Sequence, residues 1–146
     1  MNPELVGRVF APTQPYLVGR EKVREFARAV FADAPLHTDV DAARALGHAD
    51  VVAPPTFAMV IQDLTLQQLL SEPDSGIVLS RTIHAEQRFA YARPIVAGDE
   101  LTAQLSVTGI RTVGGNAMIT SEAAITDAAG AHVVTATSVL LVGEGE

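Results

Sequence analysis

The sequence has no cysteine, few basic residues and no long apolar run. Without cysteine among its 146 residues, disulfides, zinc–thiolate sites and cysteine nucleophiles are excluded, and a reducing compartment is compatible with that absence. The 10 Lys and Arg residues against 17 Asp and Glu give a net charge of −7, which disfavours nucleic acid or an anionic membrane as a partner. No stretch reaches the roughly 18 apolar residues of a membrane-spanning helix. Met1–Glu4 begins no signal peptide, so we expect a cytoplasmic protein.

Motifs for nucleotide cofactors and metals are also missing. The chain has no Gly-x-Gly-x-x-Gly after a strand, no P-loop and no Gly-x-Ser-x-Gly elbow. Its four histidines are not spaced as metal ligands. We therefore expect neither a cofactor nor a metal.

The composition is typical of one compact domain. Hydrophobic residues make up 48% of the chain and charged residues 18%, which excludes intrinsic disorder. The length is ordinary for a single domain, and the sequence has no repeat, low-complexity tract or linker. We expect one domain over residues 1–146.

The first half of the chain has a helical period. From Arg20 to Phe31 apolar residues recur at intervals of three and four, and charged residues occupy the other face. This pattern predicts an amphipathic helix whose apolar side includes Val30 and Phe31. Pro35 ends it, since the residue before a proline resists the helical conformation.

Two further helices are predicted downstream. A short one runs from Asp39 or Val40 to Leu46, with Gly47 as its C-cap. After Pro54-Pro55, Thr56 is predicted to cap a longer helix that continues to Leu70. Because this helix is apolar nearly all round, we expect it to be buried.

The second half alternates apolar and polar residues with a period of two, which predicts strands. The predicted strands are Ile77–Tyr91, Leu101–Thr108, Ala117–Ile125 and Val133–Val142, with turns at Gly114–Asn116 and Asp127–Gly130. Sequential strands joined by short turns favour an antiparallel meander. One buried helix and such a sheet predict an α+β fold in which the sheet wraps the helix.

Among the histidines, His37 is a candidate general acid or base. It lies in the link between two predicted helices, with Asp33 and Asp39 near it in sequence. His84 lies in a predicted strand. The sequence is equally compatible with a His84 that contacts a dimer partner and with a catalytic His84. His48 and His132 are predicted to be surface or structural residues.

One long segment carries a family resemblance. Phe89–Leu101 resembles the F-x-x-x-x-P-V-x-x-G-D-x-L signature of hot-dog proteins of the MaoC-like dehydratase group. Four shorter segments resemble the N-terminal-type domain of that group: Gly19–Ala27, Ala45–His48, Ala53–Phe57 and His84–Phe89. In order, they cover most of the chain from Val6 to about Leu141. The chain is most similar to the substrate-binding, non-catalytic subunits of heterodimeric (3R)-hydroxyacyl-carrier-protein (ACP) dehydratases.

The resemblance implies a hot-dog fold, with the helix near Thr56–Leu70 at its centre. It also implies a pair of hot-dog chains, a homodimer or a heterodimer, that binds an acyl-CoA or acyl-ACP thioester between its protomers. The positions implied to face the substrate are Pro55, Thr56, Phe57, Val60 and His84, with Met59, Ile61 and Leu64 as further candidates for the channel wall.

This chain departs from the hydratase motif G-D-x-N-P-x-H-x-D of the catalytic members. When His37 is laid on the motif His, Phe31 falls on the Gly and Ala32 on the catalytic Asp. Asp33 comes one residue late, and could serve only with a remodelled loop. The resemblance therefore implies an impaired site.

A second departure lies before the central helix. Catalytic members have a His-Gly there, and the resemblance implies that its backbone N–H faces the thioester carbonyl. Pro54-Pro55 occupies that place here, and proline has no N–H to donate.

Three hypotheses follow. In the first, the chain is a subunit of an R-specific 3-hydroxyacyl-thioester dehydratase of fatty-acid metabolism, and shapes the acyl channel while a partner supplies the full Asp/His dyad. In the second, it is a self-sufficient homodimeric enoyl-CoA hydratase that uses His37 and Asp33. In the third, it is a non-enzymatic acyl-thioester binding or scaffold protein. A thioesterase is less favoured, because the motif remnant is of the hydratase type.

Overall fold

A computed structural model describes residues 1–143, in which three α-helices accompany one five-stranded sheet. The helices are α1 (Arg20–Ala29), α2 (Val40–Ala45) and α3 (Ala58–Leu70), and the strands are β1 (Tyr16–Leu17), β2 (Thr82–Tyr91), β3 (Glu100–Val113), β4 (Asn116–Thr126) and β5 (His132–Gly143). The strand order is β1-β3-β4-β5-β2, and every neighbouring pair is antiparallel. The predicted arrangement, a sheet packed around one long helix, is confirmed.

The helix α3 lies along the middle of the core. Phe57, just before α3, and Ile61 near its start pack in one cluster with the sheet, and Leu66 and Leu69 near its end pack in a second. Strand β3 supplies the facing surface with alternate buried residues, which confirms its predicted period of two. The members of that alternation are Leu101, Ala103, Leu105 and Val107.

The prediction of one continuous meander is wrong for the first long strand. Strand β2 pairs with β5, at the far side of the sheet from β3. The intervening residues 92–99 cross the end of the sheet and pair with residues 51–53, through an isolated bridge between Val52 and Val96 and a hydrogen bond of 2.8 Å from the Ala53 N–H to the Ile95 carbonyl. This strand also begins at Thr82 rather than Ile77, because Leu79–Arg81 forms a 3-10 turn.

The ends of two helices differ from the prediction. Helix α1 ends at Ala29, and Phe31 leaves it with a φ of 59° and an almost fully exposed side chain. Thr56 is not the cap of α3, because Pro55–Phe57 forms a 3-10 turn first and no side chain of residues 1–143 caps the helix. The short helix α2 is confirmed, with the Asp39 carboxylate as its cap.

The helix α3 is also less uniformly buried than predicted. Asp63 and Gln67 are exposed on one face, where the Gln67 side chain donates to the Asp63 carboxylate at 2.7 Å. Gln62 and Thr65 are polar but fully buried. With 13 residues α3 is the longest described helix, and none in residues 1–143 is long and apolar enough to cross a bilayer.

Candidate functional site

A cavity of about 490 Å³ opens where three segments meet: the turn before α2, the segment before α3 and the crossover after β2. Its lining comprises Leu36, His37, Val52, Ala53, Pro55, Tyr91, Ala92, Arg93, Pro94 and Ile95. Most of these side chains are apolar, and the polar ones are those of His37, Tyr91 and Arg93. The cavity thus offers an apolar surface with a few polar groups, which is the usual character of a small-molecule site.

The backbone fixes the ring of His37. A 3-10 turn over Pro35–His37 begins with the conformationally restricted proline and places the ring beside the segment before α3. The His37 Nδ1 atom lies 2.6 Å from the carbonyl oxygen of Val52, and a carbonyl can only accept. Nδ1 therefore carries the hydrogen, and in the neutral ring Nε2 has the free lone pair of a proton acceptor.

The two aspartates near His37 in sequence lie elsewhere. Asp33 lines a separate cavity of about 320 Å³ together with Phe31 and Ala32. Asp39 is engaged as the cap of α2, where its carboxylate accepts the backbone N–H groups of residues 41 and 42. Among residues 1–143, no carboxylate lines the His37 cavity. The structure therefore does not bring Asp33 and His37 together in one cavity.

Tyr91 is the group at this cavity that sequence reasoning missed. Its hydroxyl donates to the carbonyl oxygen of Pro55 at 2.5 Å. Burial raises the pKa of Tyr91 to about 12, against a smaller lowering by the backbone N–H of Ala58. Its place in the matched segment Phe89–Leu101 was visible in the sequence, but the resemblance assigns no role to that position.

Arg93 reaches the cavity wall but is held by other contacts. Its guanidinium donates to the Asp99 carboxylate at 2.8 and 3.1 Å and to the Asp127 carboxylate at 3.3 Å. Asp99 raises the pKa of Arg93. Asp99 also accepts the N–H of Val96 at 3.0 Å. Arg93 therefore links the crossover to the β4–β5 turn, and the carboxylates of Asp99 and Asp127 already pair with its charge.

The other predicted substrate positions are dispersed. Pro55 lines the His37 cavity, whereas Thr56 is exposed. Phe57 is fully buried with its ring edge-on to Phe26, and Val60 packs against the same core cluster. His84 is exposed on β2, with Nε2 3.0 Å from the side-chain oxygen of Gln87. Of the five positions, Pro55 alone shares the cavity with His37.

Solved structures define the class of protein to which this fold belongs. One chain of the C-terminally truncated HadBC complex, a 3R-hydroxyacyl-ACP dehydratase from Mycobacterium tuberculosis, superposes with a TM-score of 0.86 at 31% identity, over 94% of this chain and 96% of that one. A MaoC-like dehydratase superposes with a TM-score of 0.86 at 39% identity, over 96% of this chain and 42% of that longer one. The fold is the hot-dog fold of the dehydratases, as the sequence predicts.

A family model identifies the chain more closely. The model of the FAS1-like dehydratase domain region matches residues 4–136, and the chain belongs to this family. The resemblance to MaoC-like dehydratases is thereby confirmed. A UPF0336 protein of Clavibacter michiganensis subsp. michiganensis is 65% identical over 142 residues, which are 97% of this chain and 95% of that protein.

Proposed function

We propose that the chain is an acyl-thioester-binding hot-dog subunit of an R-specific 3-hydroxyacyl-thioester dehydratase, a hydratase in the reverse direction. A partner hot-dog chain supplies the complete Asp/His dyad. The observation that carries this proposal is an apolar cavity in which His37 has a free Nε2 lone pair but, among residues 1–143, no carboxylate beside it. The substrate is a thioester of CoA or of an acyl carrier protein in fatty-acid metabolism.

The chemistry explains why one histidine is not enough. Dehydration of a 3-hydroxyacyl thioester removes a proton from the α-carbon and expels the β-hydroxyl as water, so one group must accept a proton and another must deliver one. Ala32 stands where the motif has its aspartate, and Asp33 lines a different cavity. The chain keeps surfaces that bind and orient an acyl thioester, while the partner carries out proton transfer.

The edge of the sheet at β2 supports a hot-dog partner. Strand β2 pairs with β5 on one side only within the described residues, and Ile83 near its start is 63% exposed. Unpaired strand edges that carry apolar side chains are surfaces on which another chain can add. The HadBC neighbour is itself a complex of two subunits. We therefore place the partner along β2.

One observation favours the self-sufficient hydratase as a second candidate. The bond from Nδ1 to Val52 leaves His37 in the form that accepts a proton at Nε2, as a catalytic histidine needs. That candidate requires the loop around Asp33 to rearrange so that its carboxylate reaches the His37 cavity.

Hydration assays distinguish these functions. We would follow loss of the conjugated enoyl group with crotonyl-CoA and a longer trans-2-enoyl-CoA, using the chain alone and with a hot-dog chain that carries the full motif. We expect thioester binding by the chain alone, and turnover only with the partner. Turnover by the chain alone that falls about 100-fold or more in both His37→Ala and Asp33→Asn would establish the second candidate instead. Thioester binding without turnover, both by the chain alone and with the partner, would indicate a non-enzymatic binding or scaffold protein.

A further inference from the structure

Several hydrogen-bond donors in the lining of the His37 cavity are already engaged with groups of the protein. The Nδ1–H of His37 donates to the Val52 carbonyl, and the guanidinium of Arg93 donates to the carboxylates of Asp99 and Asp127. The backbone N–H groups of Val52, Ala53 and Ala92 are donated to other carbonyls, at 2.8–2.9 Å. A carbonyl that enters without a donor loses its hydrogen bonds to water, and a reaction that builds an enolate places negative charge on that oxygen.

The segment before α3 cannot provide the donor through its prolines. Pro54 and Pro55 have no N–H, although they lie at the start of the central helix beside the cavity. The Tyr91 hydroxyl stands at this point, where it donates to the Pro55 carbonyl at 2.5 Å.

We propose that Tyr91 donates a hydrogen bond to the carbonyl oxygen of the bound acyl thioester, in place of the N–H that Pro54 and Pro55 lack. This inference rests on the proposed function, because it takes an acyl thioester as the occupant of the His37 cavity. On binding, the hydroxyl turns from the Pro55 carbonyl to the ligand. Pro55 is exposed, so its carbonyl is then hydrated.

The hydroxyl keeps its proton in this role. Burial raises the pKa of Tyr91 to about 12, so the group remains a neutral donor at physiological pH. Tyr91 therefore orients and polarises the carbonyl without transferring a proton.

A binding cycle between protein and ligand tests this contact. Butyryl-CoA carries the carbonyl and is saturated, so it cannot be hydrated, whereas S-butyl-CoA has a methylene in place of the carbonyl. Calorimetry on the full chain should show that the wild type binds butyryl-CoA about 3- to 10-fold more tightly than S-butyl-CoA, the range of one net hydrogen bond. Tyr91→Phe should bind the two ligands equally.

Tyr16→Phe is the matched control, since Tyr16 lies in β1, outside the lining of this cavity, and is the other tyrosine of the chain. It should keep the wild-type preference. A Tyr91→Phe protein that also keeps the preference overturns the inference and leaves the proposed function intact. A wild-type chain that binds neither ligand contradicts the proposed function and this inference together.

A measurement on the wild type covers the case in which Tyr91→Phe does not fold. The carbonyl of ¹³C-labelled butyryl-CoA should absorb in the infrared at a lower frequency when bound than in an apolar solvent, because a hydrogen bond weakens the C=O bond. A bound frequency equal to that of the apolar solvent overturns the inference.

Discussion

At the scale of single residues, Phe31 has a conformation at odds with its side chain. Its φ of 59° lies in the left-handed region, and its side chain is 91% exposed. The N–H of Phe31 donates to Arg28 and the N–H of Ala32 to Ala27, which is the Schellman arrangement that ends helices and favours glycine at this position. The alignment with the hydratase motif also places Phe31 on the motif glycine. The turn therefore has the backbone that glycine favours, with phenylalanine at the position.

Replacing Phe31 should accordingly stabilise the protein. We expect Phe31→Gly to raise the free energy of unfolding by about 1 kcal/mol, because glycine reaches this φ without strain and little packing is lost. The melting temperature should rise by about 2–4 °C in calorimetry.

Val30→Gly is the control for that substitution. Val30 is 43% exposed and has a φ of −102°, which any residue adopts, so glycine there should lower the melting temperature. A loss of stability in Phe31→Gly that matches the loss in Val30→Gly would show that the aromatic ring contributes more than its strained backbone costs.

At the scale of elements, the sequence predicts what depends on local periodicity. The period of α1 and the alternation along β3 are visible within each segment, and both elements form. The place of β2 beside β5 depends on pairing across about 50 residues, which no local pattern contains. The burial of Gln62 in α3 escapes prediction for the same reason, since its partner Gln87 lies on β2.

The helix α3 is tied to the sheet through that buried glutamine. The Gln62 side chain donates to the carbonyl of Ala136 at 3.3 Å and accepts from the side chain of Gln87 at 2.7 Å. We expect Gln62→Leu to lower the free energy of unfolding by about 1–3 kcal/mol, because Gln87 is left without this acceptor. Gln67→Leu, on the exposed face of the same helix, should change it by less than about 0.5 kcal/mol in urea denaturation.

The double variant tests the reason for that loss. If the cost is an unpaired polar group, Gln62→Leu with Gln87→Leu should be less destabilised than the sum of the two single variants, because the double variant leaves no Gln87 amide without its acceptor. If the losses in the free energy of unfolding are additive, Gln62 stabilises the protein through its shape rather than through its hydrogen bonds.

At the scale of the whole molecule, the candidate site joins segments that are far apart in the chain. His37 was predicted as a site residue from its place between two helices, and Pro55 from the resemblance. The cavity contains both. Tyr91 joins them because residues 92–99 cross the sheet and bring the end of β2 beside Pro55. The sequence motif shows which residues are present. Only the crossover of residues 92–99 determines which of them lie together in the cavity.

The two edges of the sheet allow the partner surface to be tested within one molecule. Ile83 on β2 and Leu17 on β1 are each 63% exposed, and they lie on strands at opposite edges. We expect Ile83→Lys to weaken association with a second hot-dog chain, this chain itself or one with the full motif, by about 10-fold or more, because a charge would be buried in the new interface. Leu17→Lys should associate as the wild type does.

Light scattering after size exclusion, with titration of the motif-bearing chain, measures that association against a monomer of 15.4 kDa. If Leu17→Lys weakened the association and Ile83→Lys did not, the partner would bind at the β1 edge instead. Because Tyr91 ends β2, that result would also separate the partner from the His37 cavity. The chain would then have to supply both members of the dyad itself, or bind the thioester without reacting it.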